Sequence, residues 1–328
     1  MHSGAKVLLT RLLPQPCLDL LEQHVQLEVN RKDKRIPKIE LIQKIQDKDG
    51  LICLLTDMID AEIINAGQRL KIIANYAVGY NNIDVSEATK RGIPVTNTPG
   101  VLTDTTADLT FALILAAARR IVEADKFLRE GKFKGWAPML FLGSDIYEKT
   151  LGIIGLGRIG RAVARRARGF NMKIIYHEPE RLPEDIENEC HAEYREFDDL
   201  LKEADFITIH VPLTKTTHHL ITRRELSLMK KTAYLINVAR GTIIDEKALV
   251  RALKEKEIAG CALDVFEKEP EIENELKEMK NSILVPHIGS ASIETRTKMA
   301  MTVAENVISV LIDRKKPPNV VNRAIYKP

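Results

Sequence analysis

The stretch LGIIGLGRIGRAVARRARGFNMKIIYHEPE, residues 151–180, decides the fold. It combines an apolar run, three glycines in GxGxxG spacing and a second apolar run that ends on an acid. Residues 151–154 predict a buried strand, and the residues that follow Gly157 predict a helix. This order of strand, turn, helix and strand is typical of a dinucleotide-binding unit.

Each glycine of this loop has a distinct expected role. Gly155 makes the tight turn, Gly157 lets backbone N–H groups approach a pyrophosphate, and Gly160 lets the helix pack closely on the sheet. The helix N-terminus then offers free N–H groups and the positive end of its dipole to the phosphates. A strand, turn and helix that bind no ligand are the alternative interpretation.

The acid at the end of the stretch favours NAD as the cofactor. Glu178 lies 23 residues after Gly155, near the spacing expected for the carboxylate that bonds the adenosine ribose. Such a carboxylate accepts hydrogen bonds from the ribose hydroxyls and repels the 2′-phosphate of NADP. His177 and Arg181 flank it and could weaken that discrimination, so NADP stays as the alternative.

The whole chain alternates strand-like and helical runs, which predicts an α/β protein with two doubly wound parallel-sheet domains. Five strand-like runs occur before the turn-forming residues 97–100, and six more lie between residues 151 and 287. Residues 103 to about 130 predict one long helix, apolar on almost every face. Residues 292–311 predict a further amphipathic helix.

Composition excludes some classes of partner. Hydrophobic residues make up 45% and charged residues 29%, as in soluble globular proteins. The 49 basic and 46 acidic residues give a net charge of +3, so neither nucleic acid nor a membrane surface is an expected partner. The four cysteines form no CxxC pair, which favours buried reduced thiols and the cytoplasm. His218 and His219 lack further ligands at metal-binding spacing, so we expect no metal.

Three side chains at the ends of successive predicted strands are candidates for chemistry: Arg240, Glu269 and His287. Because parallel strands place their carboxyl ends at one edge of the sheet, we expect all three in one crevice. An arginine fork binds a carboxylate, and a histidine paired with a glutamate can protonate a carbonyl oxygen near neutral pH. Taken singly, each is equally well explained as a helix cap, a salt-bridge partner or a turn residue.

Several motifs, in order along almost the whole chain, resemble the D-isomer-specific 2-hydroxyacid dehydrogenases. They are NYAVGYNNIDVSEATKRGIPVTNTPGVLTDTTADLTFALILAAARR, KTLGIIGLGRIG, NVARGTIIDEKAL, GCALDVFEKEP and VPHIGSAS. Within the family, VLTDTTADL and GWAPMLFLG are most similar to the glyoxylate and hydroxypyruvate reductases. The resemblance implies an oxidoreductase that transfers a hydride from a nicotinamide cofactor to a small 2-oxo acid, giving the D-2-hydroxy acid.

The resemblance also implies roles for single residues. The catalytic set would be Arg240, Glu269 and His287. Substrate binding would involve Leu54, Val78, Gly79 and Arg240, with the substrate carboxylate on the backbone N–H groups of Val78 and Gly79. Cofactor binding would involve Thr106, Gly155, Gly157, Arg158, Ile159, Gly160, Glu178, Val211, Pro212, Ala239, Asp264, His287 and Gly289.

At the level of architecture, the resemblance implies a Rossmann NAD(P)-binding domain over residues 100–289. A smaller flavodoxin-like substrate-binding domain would be discontinuous, over residues 1–99 and 290–328, and a homodimer would be built on the helix near residues 103–120. One departure concerns the cofactor, because NADP-using members usually carry Ser, Gly, Thr or Arg where this chain has His177 and Glu178. A 3-phosphoglycerate dehydrogenase-like enzyme and an NAD(H)-sensing co-repressor-like binding protein stay as alternative functions.

Overall fold

A computed structural model of the protein describes residues 4–326. The chain folds into two compact units. The first unit contains the residues up to Leu102 and those from Ala291 onward, and the second unit is Thr103–Ser290. Among residues 4–326, we find no helix with the length and apolar character needed to cross a membrane.

The elements alternate along the chain as the sequence predicts. The strands are β1 (Lys6–Leu9), β2 (Gln26–Val29), β3 (Gly50–Cys53), β4 (Ile72–Asn75), β5 (Val95–Thr96), β6 (Thr150–Ile154), β7 (Lys173–His177), β8 (Ala192–Tyr194), β9 (Phe206–Ile209), β10 (Tyr234–Asn237), β11 (Gly260–Leu263) and β12 (Ser282–Leu284). The helices are α1 (Gln15–Glu22), α2 (Lys38–Ile45), α3 (Ala61–Ala66), α4 (Val85–Lys90), α5 (Thr103–Ala118), α6 (Ile121–Arg129), α7 (Arg158–Ala167), α8 (Glu184–Cys190), α9 (Phe197–Glu203), α10 (Arg223–Leu228), α11 (Glu246–Lys254), α12 (Asn274–Glu278) and α13 (Ile293–Leu311).

The first unit is built on a five-stranded parallel sheet with the order β2-β1-β3-β4-β5, which is the flavodoxin-like order. Every residue of β3 and β4 is buried, because helices cover both faces of the sheet. Leu9 packs with α1 and α13 on one face, whereas its neighbour Leu8 packs with α2, α3 and α4 on the other.

The second unit is built on a seven-stranded parallel sheet with the order β12-β11-β10-β9-β6-β7-β8. This is the Rossmann arrangement, in which the order of successive strands reverses beside β6, the strand that carries the glycine loop. The two sheets confirm the predicted fold class. The prediction of six strands between residues 151 and 287 was wrong by one, because β8 is an edge strand of only three residues and its sequence is too short to show alternation.

The single long helix expected from residue 103 to about 130 is in fact two helices. Arg120 has a φ of 53°, in the left-handed region, and therefore separates α5 from α6. Its guanidinium then pairs with the Glu123 carboxylate at 2.8 Å in the first turn of α6. Helix α5 buries eight side chains, whereas α6 has no buried residue, so the apolar pattern belongs to α5 alone.

Candidate active site

The glycine loop joins β6 to α7 and needs glycine at its ends. Gly155 has a φ of 96°, which other residues rarely adopt, and a Cβ there would lie 2.9 Å from the backbone of His210. A Cβ on Gly160 would overlap the carbonyl oxygen of Gly155. The first glycine thus permits the turn, and the last permits the close contact between helix and loop.

The middle glycine leaves room for an anion. Gly157 is the N-cap residue of α7, and no side chain caps this helix or places a negative charge in its first turn. A Cβ on Gly157 would meet no atom within 4 Å. The backbone N–H groups of Arg158 and Ile159, at the start of α7, make no hydrogen bond within residues 4–326 and lie at the positive end of the helix dipole. This arrangement fits the pyrophosphate of a dinucleotide.

Glu178 directly follows β7 and is half-buried. Within residues 4–326 its carboxylate makes no hydrogen bond or ion pair, so both oxygens are available to a ligand. The two basic neighbours are already engaged. Arg181 donates two hydrogen bonds to Glu187, at 2.9 and 2.8 Å, and His177 Nδ1 lies 3.0 Å from the carbonyl oxygen of Arg195.

Most of the other predicted cofactor residues lie at the carboxyl edge of the seven-stranded sheet. Val211 and Pro212 follow β9, and Ala239 follows β10. Thr106, in the second turn of α5, donates a hydrogen bond from its hydroxyl to the carbonyl oxygen of Gly289 at 3.1 Å. The structure therefore places these residues at the edge of the same sheet from which the glycine loop emerges.

Asp264 holds the segment after His287 in place. Its carboxylate is fully buried and accepts hydrogen bonds from the backbone N–H groups of Ile288 at 2.6 Å and Gly289 at 2.8 Å. Burial raises the pKa of Asp264 to about 6, although these two N–H groups and the charge of His287 act in the opposite direction. The backbone N–H of His287 also donates to the carbonyl oxygen of Asp264 at 2.9 Å.

His287 and Glu269 form a hydrogen-bonded pair, with 3.0 Å between Nδ1 and Oε2. The second carboxylate oxygen of Glu269 accepts from the backbone N–H of Phe266 at 3.1 Å. Burial alone would raise the pKa of Glu269, but its hydrogen bonds and the charges of His287 and Arg240 outweigh burial and lower the pKa. His287 has a φ of 53°, a conformation that is rare outside glycine and concentrated at functional sites.

Arg240 lies on a turn that is packed directly on the segment carrying Glu269. A Cβ on Gly241 would overlap the backbone of Phe266, so only glycine allows this approach. The buried Asn237 side chain fixes the turn, since it donates to the carbonyl oxygen of Arg240 at 2.9 Å. Burial lowers the pKa of the Arg240 guanidinium, and the charge of Glu269 opposes this change. The structure thus brings the three candidates together in the second unit.

The predicted substrate residues follow β3 and β4, which are neighbours in the sheet of the first unit. The buried Asn82 side chain donates to the carbonyl oxygen of Leu54 at 3.1 Å and reaches the Asn75 side chain at 3.5 Å. Asn75 in turn donates to the carbonyl oxygen of Gly79 at 2.8 Å. Sequence reasoning missed these asparagines, although a polar Asn75 at the end of the apolar run KIIAN is a visible signal.

His219 has an acidic partner rather than a metal-binding neighbourhood. Its Nε2 lies 3.0 Å from a carboxylate oxygen of Glu267. No group of three or more His, Cys, Asp or Glu side chains that could hold a metal ion occurs in the part of the chain that the structure describes.

The fold and this site define a class of protein. The second unit is a Rossmann unit whose glycine loop can accept phosphates. At the edge of its sheet, an arginine lies beside a histidine–glutamate pair. These features are typical of an NAD(P)-dependent dehydrogenase. Residues 111–289 match the family described as "D-isomer specific 2-hydroxyacid dehydrogenase, NAD binding domain". The chain belongs to the D-isomer specific 2-hydroxyacid dehydrogenase family and carries its NAD-binding domain.

Glyoxylate reductases are similar to almost the whole chain. A glyoxylate reductase of Thermococcus litoralis is 53% identical over 324 residues, which cover 98% of this chain and 97% of that protein. The crystal structure of a glyoxylate reductase from Paecilomyes thermophila has a TM-score of 0.87 at 34% identity, covering 98% and 99% of the two chains. An NADPH-dependent glyoxylate/hydroxypyruvate reductase from Sinorhizobium meliloti, in complex with NADP and malonate, has a TM-score of 0.87 at 30% identity and 99% coverage of both chains.

Proposed function

We propose that this enzyme reduces glyoxylate and hydroxypyruvate to the corresponding 2-hydroxy acids, of D configuration where the product is chiral, with NADH as its preferred reductant. The observation that carries the proposal is the His287–Glu269 pair at 3.0 Å, packed beside the turn that presents Arg240. The full-length similarity to glyoxylate reductases supports the choice of substrate.

In the proposed reaction each of these residues has one task. The bound nicotinamide supplies a hydride to the carbonyl carbon of the oxo acid. Arg240 binds the carboxylate through its planar fork and polarises the carbonyl group. His287 donates a proton from Nε2 to the carbonyl oxygen, and Glu269 accepts the hydrogen bond from Nδ1 that orients the ring. Val78 and Gly79 contribute backbone N–H groups to the carboxylate, and Leu54 lies near the small side group of the substrate.

The preference for NAD over NADP rests on the end of β7. Glu178 has no partner within residues 4–326 and would accept from the adenosine ribose. Arg181, which could otherwise attract a 2′-phosphate, is neutralised by Glu187 at 2.8 Å. Gly155, Gly157 and Gly160, with Arg158 and Ile159, would hold the pyrophosphate. The nicotinamide side would involve Thr106, Ala239, Asp264, His287 and Gly289, and the adenosine side Val211 and Pro212.

These assignments imply which unit binds the substrate and which binds the cofactor. We propose that residues 1–99 and 290–328 form the substrate-binding domain, because they carry Leu54, Val78 and Gly79. Residues 100–289 would form the NAD(P)-binding domain, because they carry the glycine loop and the catalytic set.

We also propose that the protein is a cytoplasmic homodimer. The helix near residues 103–120, on which the resemblance builds the dimer, corresponds to α5 and buries eight of its side chains within the chain, so we place the contact on the adjoining α6 and the segment after it. Apolar side chains are exposed there: Leu128 is 58%, Trp136 84% and Met139 76% exposed. Exposed apolar patches of this kind commonly mark protein interfaces. The four cysteines are buried and form no disulfide, as expected in a reducing compartment.

The alternatives differ in turnover. An NAD(H)-sensing co-repressor-like protein would bind NADH without oxidising it steadily, and a 3-phosphoglycerate dehydrogenase-like enzyme would prefer phosphohydroxypyruvate. The test is NADH oxidation with glyoxylate, hydroxypyruvate, pyruvate and phosphohydroxypyruvate. His287→Asn is the control and should lower kcat at least about 100-fold with NADH affinity unchanged. Absence of turnover with every oxo acid, or a fully active His287→Asn variant, would refute the proposal.

A further inference from the structure

Three consecutive carbonyl groups after β4 are each held by a separate donor. The backbone N–H of Thr98 donates to the carbonyl oxygen of Ala77 at 3.0 Å. The Asn97 side chain donates to that of Val78 at 2.8 Å, and the Asn75 side chain to that of Gly79 at 2.8 Å. The chain segment 97–98 thus holds two adjacent carbonyls, and β4 supplies the donor for the third.

These bonds determine where the intervening N–H groups point. A trans peptide directs its C=O and its N–H in opposite directions, and the peptides of this segment are trans. Since the Ala77 and Val78 carbonyls face residues 97 and 98, the N–H groups of Val78 and Gly79 point away from them. Neither N–H group makes a hydrogen bond with another residue in the range 4–326. Two adjacent free donors that point to the same side can bind one anion together.

The peptide between Val78 and Gly79 needs an anchor. Glycine permits many backbone conformations, so this peptide can rotate and present its carbonyl where its N–H stood. A carbonyl there would repel a carboxylate instead of binding it. In the structure the Asn97 amide is the group that holds this carbonyl.

Asn75 and Asn97 are themselves held in position. Asn75 is fully buried, and its side-chain oxygen lies 3.5 Å from the Asn82 amide nitrogen. Asn97 is half-buried, and its backbone N–H donates to the carbonyl oxygen of Asn319 at 3.3 Å. Fixed donors of this kind orient a neighbouring group without contacting the ligand themselves.

We propose that Asn97, supported by Asn75, is a positioning residue that directs the Val78 and Gly79 N–H groups toward the carboxylate of the substrate. The identity of that anion as a 2-oxo acid rests on the proposed function. The alternative is that Asn97 only satisfies a partly buried carbonyl, which would affect stability and nothing else.

Kinetics separate these two roles. Asn97→Ala removes the donor without adding charge, and it should raise the KM for glyoxylate about ten-fold or more. The Kd for NADH should stay within about two-fold, because the variant leaves the glycine loop intact. Asn97→Gln keeps an amide with longer reach and should recover part of the affinity. Asn322→Ala is the matched control, because this buried amide donates to the Ile93 carbonyl at 2.9 Å in the same unit. It should lower the Tm and leave the KM unchanged.

Direct binding distinguishes failure of this inference from failure of the proposed function. Oxalate is titrated calorimetrically into the NADH complexes of the parent and of Asn97→Ala. A parent that binds oxalate without reducing glyoxylate, and whose binding weakens about ten-fold in Asn97→Ala, supports the positioning role and refutes only the substrate assignment. An active parent whose KM and oxalate affinity do not change in Asn97→Ala overturns the positioning role alone. A parent that neither binds oxalate nor reduces glyoxylate overturns both.

Discussion

Glu269 and His287 are joined at 3.0 Å through Oε2 and Nδ1, and the other carboxylate oxygen of Glu269 is occupied by the backbone N–H of Phe266. The carboxylate therefore has one orientation, and it transmits that orientation to the imidazole. Because the pKa of Glu269 is lowered below its usual value of 4.5, the side chain is ionised at neutral pH. A fixed, charged partner is what a proton-donating histidine requires.

Glu269→Gln tests this pairing. The amide preserves the size of the side chain and removes its charge, so kcat at pH 7 should fall about 10- to 100-fold, at or below the lower end of the roughly 100- to 10,000-fold effect of losing the acid itself, because His287 is still present. NADH affinity, measured by fluorescence titration, should not change. Because the pKa of Glu269 is lowered, its carboxylate is charged above pH 4.5 and becomes protonated only as the pH falls through the folded-state pKa. Its effect on kcat is lost over that same pH range. The difference between parent and variant should therefore narrow below pH 4.5. Equal kcat values at pH 7 would remove Glu269 from the mechanism.

Arg240→Lys tests the planar fork. Lysine keeps the positive charge but cannot form two parallel hydrogen bonds to a carboxylate. We expect the KM for glyoxylate to rise and kcat to fall together, because the same contact binds the substrate and polarises its carbonyl. Steady-state kinetics at saturating NADH measure both constants. Unchanged constants would mean that the backbone N–H groups of Val78 and Gly79 hold the carboxylate without Arg240.

Asp264→Asn tests the electrostatic state of the buried carboxylate. Burial raises the pKa of Asp264 to about 6 from 3.8, so the folded protein binds this proton more tightly than the unfolded chain does. The stabilising contribution is complete below pH 3.8 and is lost as the pH rises through 6. The charged groups that act on this carboxylate are His287 and Glu269.

The measurement is urea unfolding of parent and Asp264→Asn at several pH values. Relative to the variant, the parent should lose stability between about pH 4 and pH 6, and the difference should level off at higher pH. Asparagine accepts only one of the two backbone hydrogen bonds well, as a protonated carboxyl group does, so the variant resembles the acid form of the parent. A difference that does not change across this pH range would contradict the raised pKa.

Trp136→Glu tests the proposed dimer. The indole is 84% exposed, so its replacement should not disturb the fold of a monomer. In a homodimer built on this segment, a buried charge at the contact should shift the molecular mass in light scattering from two chains toward one. Ile39→Glu on α2 is the matched control, because Ile39 is 74% exposed in the first unit. If the molecular mass is unchanged in both variants, Trp136 does not lie at a dimer interface.

The parts of the structure that sequence predicted are those with a local cause. The glycine loop was predictable because the positive φ of Gly155 and the contact between Gly160 and the Gly155 carbonyl both arise within six residues of chain. The strand ends were predictable because apolar runs stop there. Strand β8 was missed because three residues are too few to show the alternation of apolar and polar side chains that indicates a strand. The break before α6 was missed because Arg120 adopts a left-handed conformation without the glycine or proline that usually marks one.

Asn97 was beyond sequence reasoning for a different reason. Asn97 reaches the Val78 carbonyl across 19 residues of chain, and that contact depends on how the segment after β5 lies against the segment after β4. The motifs identify Val78 and Gly79 as ligand-binding positions by resemblance. Only the tertiary arrangement identifies the side chains that orient their peptide groups.

Glu178→Ser tests the cofactor preference. In the parent, the Glu178 carboxylate is free to accept from the adenosine ribose and opposes the roughly −2 charge of a 2′-phosphate. Serine removes the charge, so NADH should bind more weakly and NADPH more tightly. We expect the ratio of their kcat/KM values to move ten-fold or more, which requires about 1.4 kcal/mol of differential binding. Because Arg181 stays paired with Glu187, most of this change should come from lost repulsion.

Both cofactors are assayed at saturating glyoxylate in the parent, in Glu178→Ser and in Glu180→Ser. Glu180 is exposed two residues further along the chain, so its replacement controls for the loss of one negative charge near the site. The ratio should stay within about two-fold in Glu180→Ser, because exposed charges act weakly across solvent. A parent that already prefers NADPH, or a Glu178→Ser ratio no different from that of Glu180→Ser, would show that the Glu178 carboxylate does not contact the ribose.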